Sequence, residues 1–71
     1  MKKQIEARSH MNPNAWMCPE RFTQTMTLKQ LQETMLHYDG QILACGEFWH
    51  IRYKKLCPGV YNVYLEKKVF T

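Results

Sequence analysis

The residues of this 71-residue chain best suited to chemistry are few: Cys18, Cys45 and Cys57, His10, His37 and His50, and a single serine, Ser9. Their spacing decides what they can do. No CxxC pair occurs, although Cys18-Pro19 and Cys57-Pro58 are steps compatible with a metal-binding turn, and a histidine could complete such a site. Cys45 and Cys57 fall at opposite ends of one predicted strand of about eight residues, roughly 26 Å at ~3.3 Å per residue. Zinc held at ~2.3 Å from each sulfur cannot bridge that gap. Nor can a disulfide, whose Cα atoms lie about 5–6 Å apart. Cys18 with Cys57 and a histidine is the metal arrangement that geometry leaves open. Ordinary small-side-chain or turn roles for the cysteines are the expectation, with no cofactor.

Nucleophilic catalysis fares no better. Ser9 lies in a polar, unpatterned arm, and Cys57 and His50 are about seven strand residues or roughly 23 Å apart, far beyond hydrogen-bond reach. Asp39 and Glu66 have no reason to be neighbours. Neither a GxGxxG nor a GxxxxGK[ST] pattern is present, and the three glycines all stand at turns. The expectation is a protein that is not an enzyme.

The elements that must position these residues form a single small domain over 13–71, preceded by a flexible arm over 1–12. A chain this short buries a modest core and has no room for a cleft between two lobes. No run approaches 18 apolar residues, so no membrane partner is expected. The opening MKKQIEARSH lacks the apolar region of a secretory signal, and the cysteine count is odd. A reduced, cytoplasmic setting follows as an expectation.

Residues 13–26, with Pro13 and Pro19, show no clean period. They are expected to wrap irregularly across an edge or open end of the core, anchored by Phe22 or Trp16. Thr27 and Gln30 have the spacing of a capping box, and Met26 and Leu31 that of a hydrophobic staple. Leu28, Leu31, Met35 and Tyr38 then share one helical face, and Asp39-Gly40 ends the helix. Beyond it, three strands are expected to form a β-meander. Its first turn is placed at Gly46-Glu47, with Cys45 opposite Phe48. Its second is at Cys57-Pro58-Gly59, with Leu56 opposite Val60. Ile42, Ala44, Trp49, Ile51, Tyr53, Tyr61, Val63 and Leu65 fall on one face. His50, Arg52, Lys54, Asn62, Tyr64 and Glu66 fall on the other. The expected fold class is α+β: one short α-helix packed on a three-stranded antiparallel β-meander, with an irregular N-terminal segment.

The formal charge of +4 has an address. Lys2, Lys3, Arg8, Arg21 and Lys29 cancel Glu6, Glu20, Glu33, Asp39 and Glu47. Arg52, Lys54, Lys55, Lys67 and Lys68 stand against Glu66 alone. The excess therefore lies on the last two strands and the tail. Two function classes use such a surface. In the first, Leu43, Cys45 and Phe48 make an exposed apolar spot at the first hairpin, bordered by His50 and the basic residues Arg52 and Lys54 with Tyr64, and with Lys67 and Lys68 beyond. An apolar centre with a charged rim is the usual make-up of a protein contact site. The protein would then be a small non-catalytic regulator or inhibitor, acting by stoichiometric occupation of an acidic or nucleic-acid-associated partner. In the second, the same basic face with Tyr64 binds DNA or RNA directly. Both the first and third strands of a meander have an open edge, and either could pair with a second copy of the chain or with a partner's strand. The competing, purely structural expectation is that residues 13–26 or the tail Val69-Phe70 fold back over Phe48.

Overall fold

A computed structural model describes residues 10–69. In chain order the elements are α1 (Asn14–Met17), a 3₁₀ turn (Pro19–Arg21), β1 (Thr23–Thr27), α2 (Leu28–Tyr38), β2 (Gln41–Ala44), β3 (Glu47–Cys57) and β4 (Val60–Lys67). The four strands form one antiparallel sheet in the order β1-β4-β3-β2. It is curled into a half-barrel and accompanied by two helices, which overturns the expected three-stranded β-meander with one helix. The correction comes from the segment read as irregular. Thr23–Thr27 pairs along β4, from Thr23 opposite Tyr64 to Thr27 opposite Val60. β4 is therefore an interior strand, and the edges of the sheet are β1 and β2.

Topology follows from lengths. β1 runs into α2 with no loop, and α2 returns the chain to the opposite edge, so the helix must cross the sheet. Eleven residues at ~1.5 Å each give about 16 Å. Three gaps between four strands at ~4.8 Å give about 14 Å. The helix is as long as the sheet is wide. Its start is fixed by the capping box: Thr27 Oγ1 accepts from the Gln30 N–H at 3.2 Å, and Gln30 Oε1 accepts from the Thr27 N–H at 3.0 Å. The Leu28 N–H donates to the Gly59 carbonyl at the tip of the β3–β4 hairpin (3.1 Å), and the Gly40 N–H closes the far end on the Met35 carbonyl (3.0 Å). Asp39 there has φ 57°, the left-handed stop.

The core comprises Met11, Ala15, Phe22, Met26, Leu31, Ile42, Ala44, Trp49, Ile51, Val63 and Leu65. Phe22 is the buried anchor expected, and Trp16, half-buried, packs its ring 5.7 Å from Tyr38. Two details of the helix differ from its sequence pattern. Leu28 is exposed, while Thr34 is fully buried, donating its hydroxyl to the Gln30 carbonyl at 2.8 Å. Tyr53, expected inside, is 52 % exposed: β2 covers β3 only as far as His50, and the space between Tyr53 and α2 is an open groove.

Both hairpins differ from expectation by one small shift. The first turn is Cys45-Gly46, with φ 55° and 76°, a pair that defines a type I′ turn. Leu43 therefore faces Phe48, and Ala44 faces Glu47. The expected register is two residues off, and a two-residue slip keeps every side chain on its face. In the second hairpin the expected register holds from Trp49–Lys67 to Lys55–Tyr61. Cys57, not Leu56, then faces Val60, leaving Leu56 as a bulge. Pro58 and a Gly59 at φ 79° suit a type II turn. That turn matches strand twist poorly, and a bulge adds the twist it lacks.

Candidate functional site

Alternation along the strands places the outer face in four cross-strand rows. Thr25, Asn62 and Lys54 form the row nearest the hairpin tip, and Thr23, Tyr64 and Arg52 the next. Glu66, His50 and Gln41 follow. Phe48 and Leu43 close the series, with the Lys68 N–H on the Phe48 carbonyl at 2.9 Å. Leu43 is 56 % exposed and Phe48 41 %. They lie directly opposite one another, the arrangement that brings cross-strand side chains into contact. Neither α1 nor the strand at 23–27 covers them from the outer side. Val69 lines a shallow depression of about 500 Å³ together with Phe48, Glu47, Lys67 and Lys68. Phe70, the other half of the expected covering tail, lies outside the described residues.

Six of the eight expected contact residues therefore share the outer face: Leu43, Phe48, His50, Arg52, Lys54 and Tyr64. Lys68 sits beyond its end. Lys67 does not join them. It pairs opposite Trp49, on the inner side, and its Nζ lies 3.0 Å from Glu47 Oε2. Arg52 faces Tyr64 as expected, yet its Nε donates diagonally to Glu66 Oε1 at 2.7 Å. His50 does stand opposite Glu66, whose carboxylate is thus held by the guanidinium. Both partners of that pair are half exposed, which limits it to about 0.2–1 kcal/mol. Electrostatically the face is milder than the residue count implies, since two of its expected cations are matched by carboxylates. Lys54 remains exposed beside Arg52 and Tyr64.

The chemically capable residues are scattered. Cys18, Cys45 and Cys57 are all free and exposed, with Cys45 and Cys57 at opposite ends of β3. Cys45 Sγ is 3.5 Å from the Trp16 carbonyl. His10 Nε2 meets Glu33 Oε1 at 2.6 Å, and His37 stands edge-on to Tyr38. Among the described residues no three His, Cys, Asp or Glu side chains cluster to hold a metal ion. No described helix is long and apolar enough to cross a membrane.

One feature escaped the sequence pattern. Between α2 and the inner surface of the β3–β4 hairpin lies an open groove of about 490 Å³, walled by Leu28, Met35 and Leu36 and floored by Tyr53 and Tyr61. The two tyrosine rings meet edge to face at 5.8 Å. Its one visible signal in the sequence is Leu36, a leucine off the apolar stripe that meets the core.

Comparison with family models, curated proteins and solved structures finds no match for this chain.

Proposed function

We propose that this chain is a non-catalytic, protein-binding regulator or inhibitor, acting by stoichiometric occupation of a surface on a macromolecular partner. The observation that carries this reading is the direct opposition of Leu43 and Phe48 on an otherwise polar face. A compact apolar spot of this kind, bordered by the Gln41, His50 and Glu66 row with Arg52, Tyr64 and Lys54 in the two rows beyond, supplies the buried centre and wet rim of a contact site. Phe48 is its anchor, since aromatic side chains dominate interface energetics when water is excluded around them. Lys54 and the basic tail favour a partner with acidic character, to which they add encounter rate more than affinity.

The test is affinity capture from native lysate, with and without nuclease, using the wild-type chain and Phe48→Ala. The expected outcome is a discrete partner recovered in both nuclease arms and lost with Phe48→Ala, while the melting temperature stays within a few degrees. Recovery unchanged by Phe48→Ala defeats the proposal. Recovery abolished by nuclease moves the function to direct DNA or RNA binding on the same face.

A further inference from the structure

The two strands flanking β3 differ greatly in reach. β4 pairs with it from Trp49 to Cys57, whereas β2 covers only Glu47 to His50. The last bond on the β2 side runs from the Ile51 N–H to the Gly40 carbonyl at 2.9 Å, where the chain turns back into α2. Antiparallel pairing alternates, so up to the bulge at Leu56 odd residues of β3 address β2 and even ones address β4. The Phe48 carbonyl, bonded from Lys68, confirms the phase. Tyr53 and Lys55, both still in register with β4, therefore direct their N–H and C=O groups to the β2 side. No described strand lies there. Within an eleven-residue strand, half the length is a bare edge.

Sheet edges left open are templates for another strand. Here the edge borders the apolar groove, because Tyr53 forms part of the floor and Leu36 and Asp39 at the end of α2 stand in the wall. On the opposite face the same stretch presents Arg52 and the exposed Lys54. We infer that the β3 edge at Arg52–Lys55 is a strand-addition site for an extended segment of a partner protein whose side chains alternate acidic and apolar. Its acidic side chains meet Lys54 on the outer face, and its apolar ones extend the Tyr53 surface into the groove.

Charge excludes the nearest rival. In an antiparallel pairing of two copies through this edge, the bonding phase permits symmetric centres at Tyr53, Lys54 or Lys55. These set Arg52 against Lys54, Lys54 against its copy, or Lys55 against its copy. Like charges directly opposed destabilise a ladder in every case.

Amide hydrogen exchange of the full chain, read residue by residue, tests the site directly. The probe is a soluble peptide of four Glu-Val repeats, with two comparators: the same composition in separate blocks, and Lys-Val repeats. Saturating Glu-Val peptide is expected to slow exchange at Tyr53 and Lys55 by about ten-fold or more. Arg52 and Lys54, whose N–H groups already face β4, are expected not to change, and neither comparator is expected to act. Absence of slowing at about 1 mM peptide, or slowing without the odd–even alternation, overturns the inference. Slow exchange at Tyr53 and Lys55 before any peptide is added also overturns it. If concentration-dependent, such protection seats a second copy on the edge; if not, it seats another part of the same chain. None of these outcomes depends on Phe48, so the outer-face reading stands or falls separately.

Discussion

Cys45 holds a φ of 55° in the tight turn between β2 and β3, the one strand connection where a residue with a Cβ must adopt a left-handed backbone. That conformation costs an ordinary L-residue about 1–2 kcal/mol, and asparagine noticeably less, because its short amide bonds locally. Asn-Gly is the favoured pair for a type I′ turn. The thiol offers little in return: its hydrogen bond to the Trp16 carbonyl at 3.5 Å is a weak sulfur bond that an asparagine amide can replace. Cys45→Asn is therefore expected to stabilise the domain by about 0.5–1 kcal/mol, read as a rise of roughly 2–8 °C in a thermal melt. An unchanged or lower melting temperature would mean that the thiol holds α1 against the turn more firmly than its geometry suggests. Glycine in a two-residue hairpin fits either central position, so the sequence alone allows the turn at Gly46-Glu47 as well as at Cys45-Gly46. Side-chain polarity does not separate the two, because their registers differ by two residues and leave both faces intact.

Elements were legible wherever a period or a cap carried them. α2 could be placed to the residue from Thr27, Gln30 and Asp39-Gly40, since each satisfies or ends a backbone ladder by its own chemistry. β1 could not. Its inward positions are Gln24 and Met26, and a polar residue in a core-facing slot erases the alternation by which strands are recognised. Gln24 is satisfied locally, accepting from the Asn12 N–H and donating to the His10 carbonyl, so the fold tolerates it. The remaining clue was Thr at 23, 25 and 27, a β-branched residue at every outward position. Without β1 the sequence pattern leaves β4 at an edge, whereas β1 makes it interior and the bare edge falls on β3. The bonding phase of β3 yields a prediction at this scale. Lys54→Pro removes an N–H that faces β4 and orphans its acceptor, for a loss of about 1–3 kcal/mol or more. Lys55→Pro removes an N–H that faces no described strand, and edge positions of this kind are where sheets accept proline. Denaturant melts of the two variants are expected to separate clearly, with Lys54→Pro much the less stable. Equal destabilisation would show that Lys55 is bonded on its outward side.

At the scale of the whole molecule, the charge of +4 and the exposed apolar spot make opposite demands, and their relative weight distinguishes the two functional readings. Of the five cations on the last two strands and tail, Arg52 lies against Glu66 and Lys67 against Glu47. Even if Arg52, Lys54 and Lys68 all met phosphates, about three contacts would give a slope of roughly −2.7 in log affinity against log salt. Raising salt four-fold would then weaken binding by about 40-fold. A contact centred on Phe48 and Leu43 behaves otherwise, because burying apolar surface is nearly indifferent to screening while rim charges are screened within about 10 Å at 0.1 M. For the native partner, raising salt from about 50 to 200 mM is expected to weaken binding by less than about ten-fold. Phe48→Ala is expected to weaken it by about 30-fold or more, the loss of an aromatic anchor worth about 2 kcal/mol. The two titrations must be made on one preparation, since their ratio is the decisive quantity. The reverse ordering, with steep salt dependence and a tolerated Phe48→Ala, would transfer the site to nucleic acid. Lys54 belongs to both the outer face and the bare edge of β3. A salt effect abolished by Lys54→Glu while the Phe48→Ala effect persists would show one partner engaging the apolar spot and the edge together.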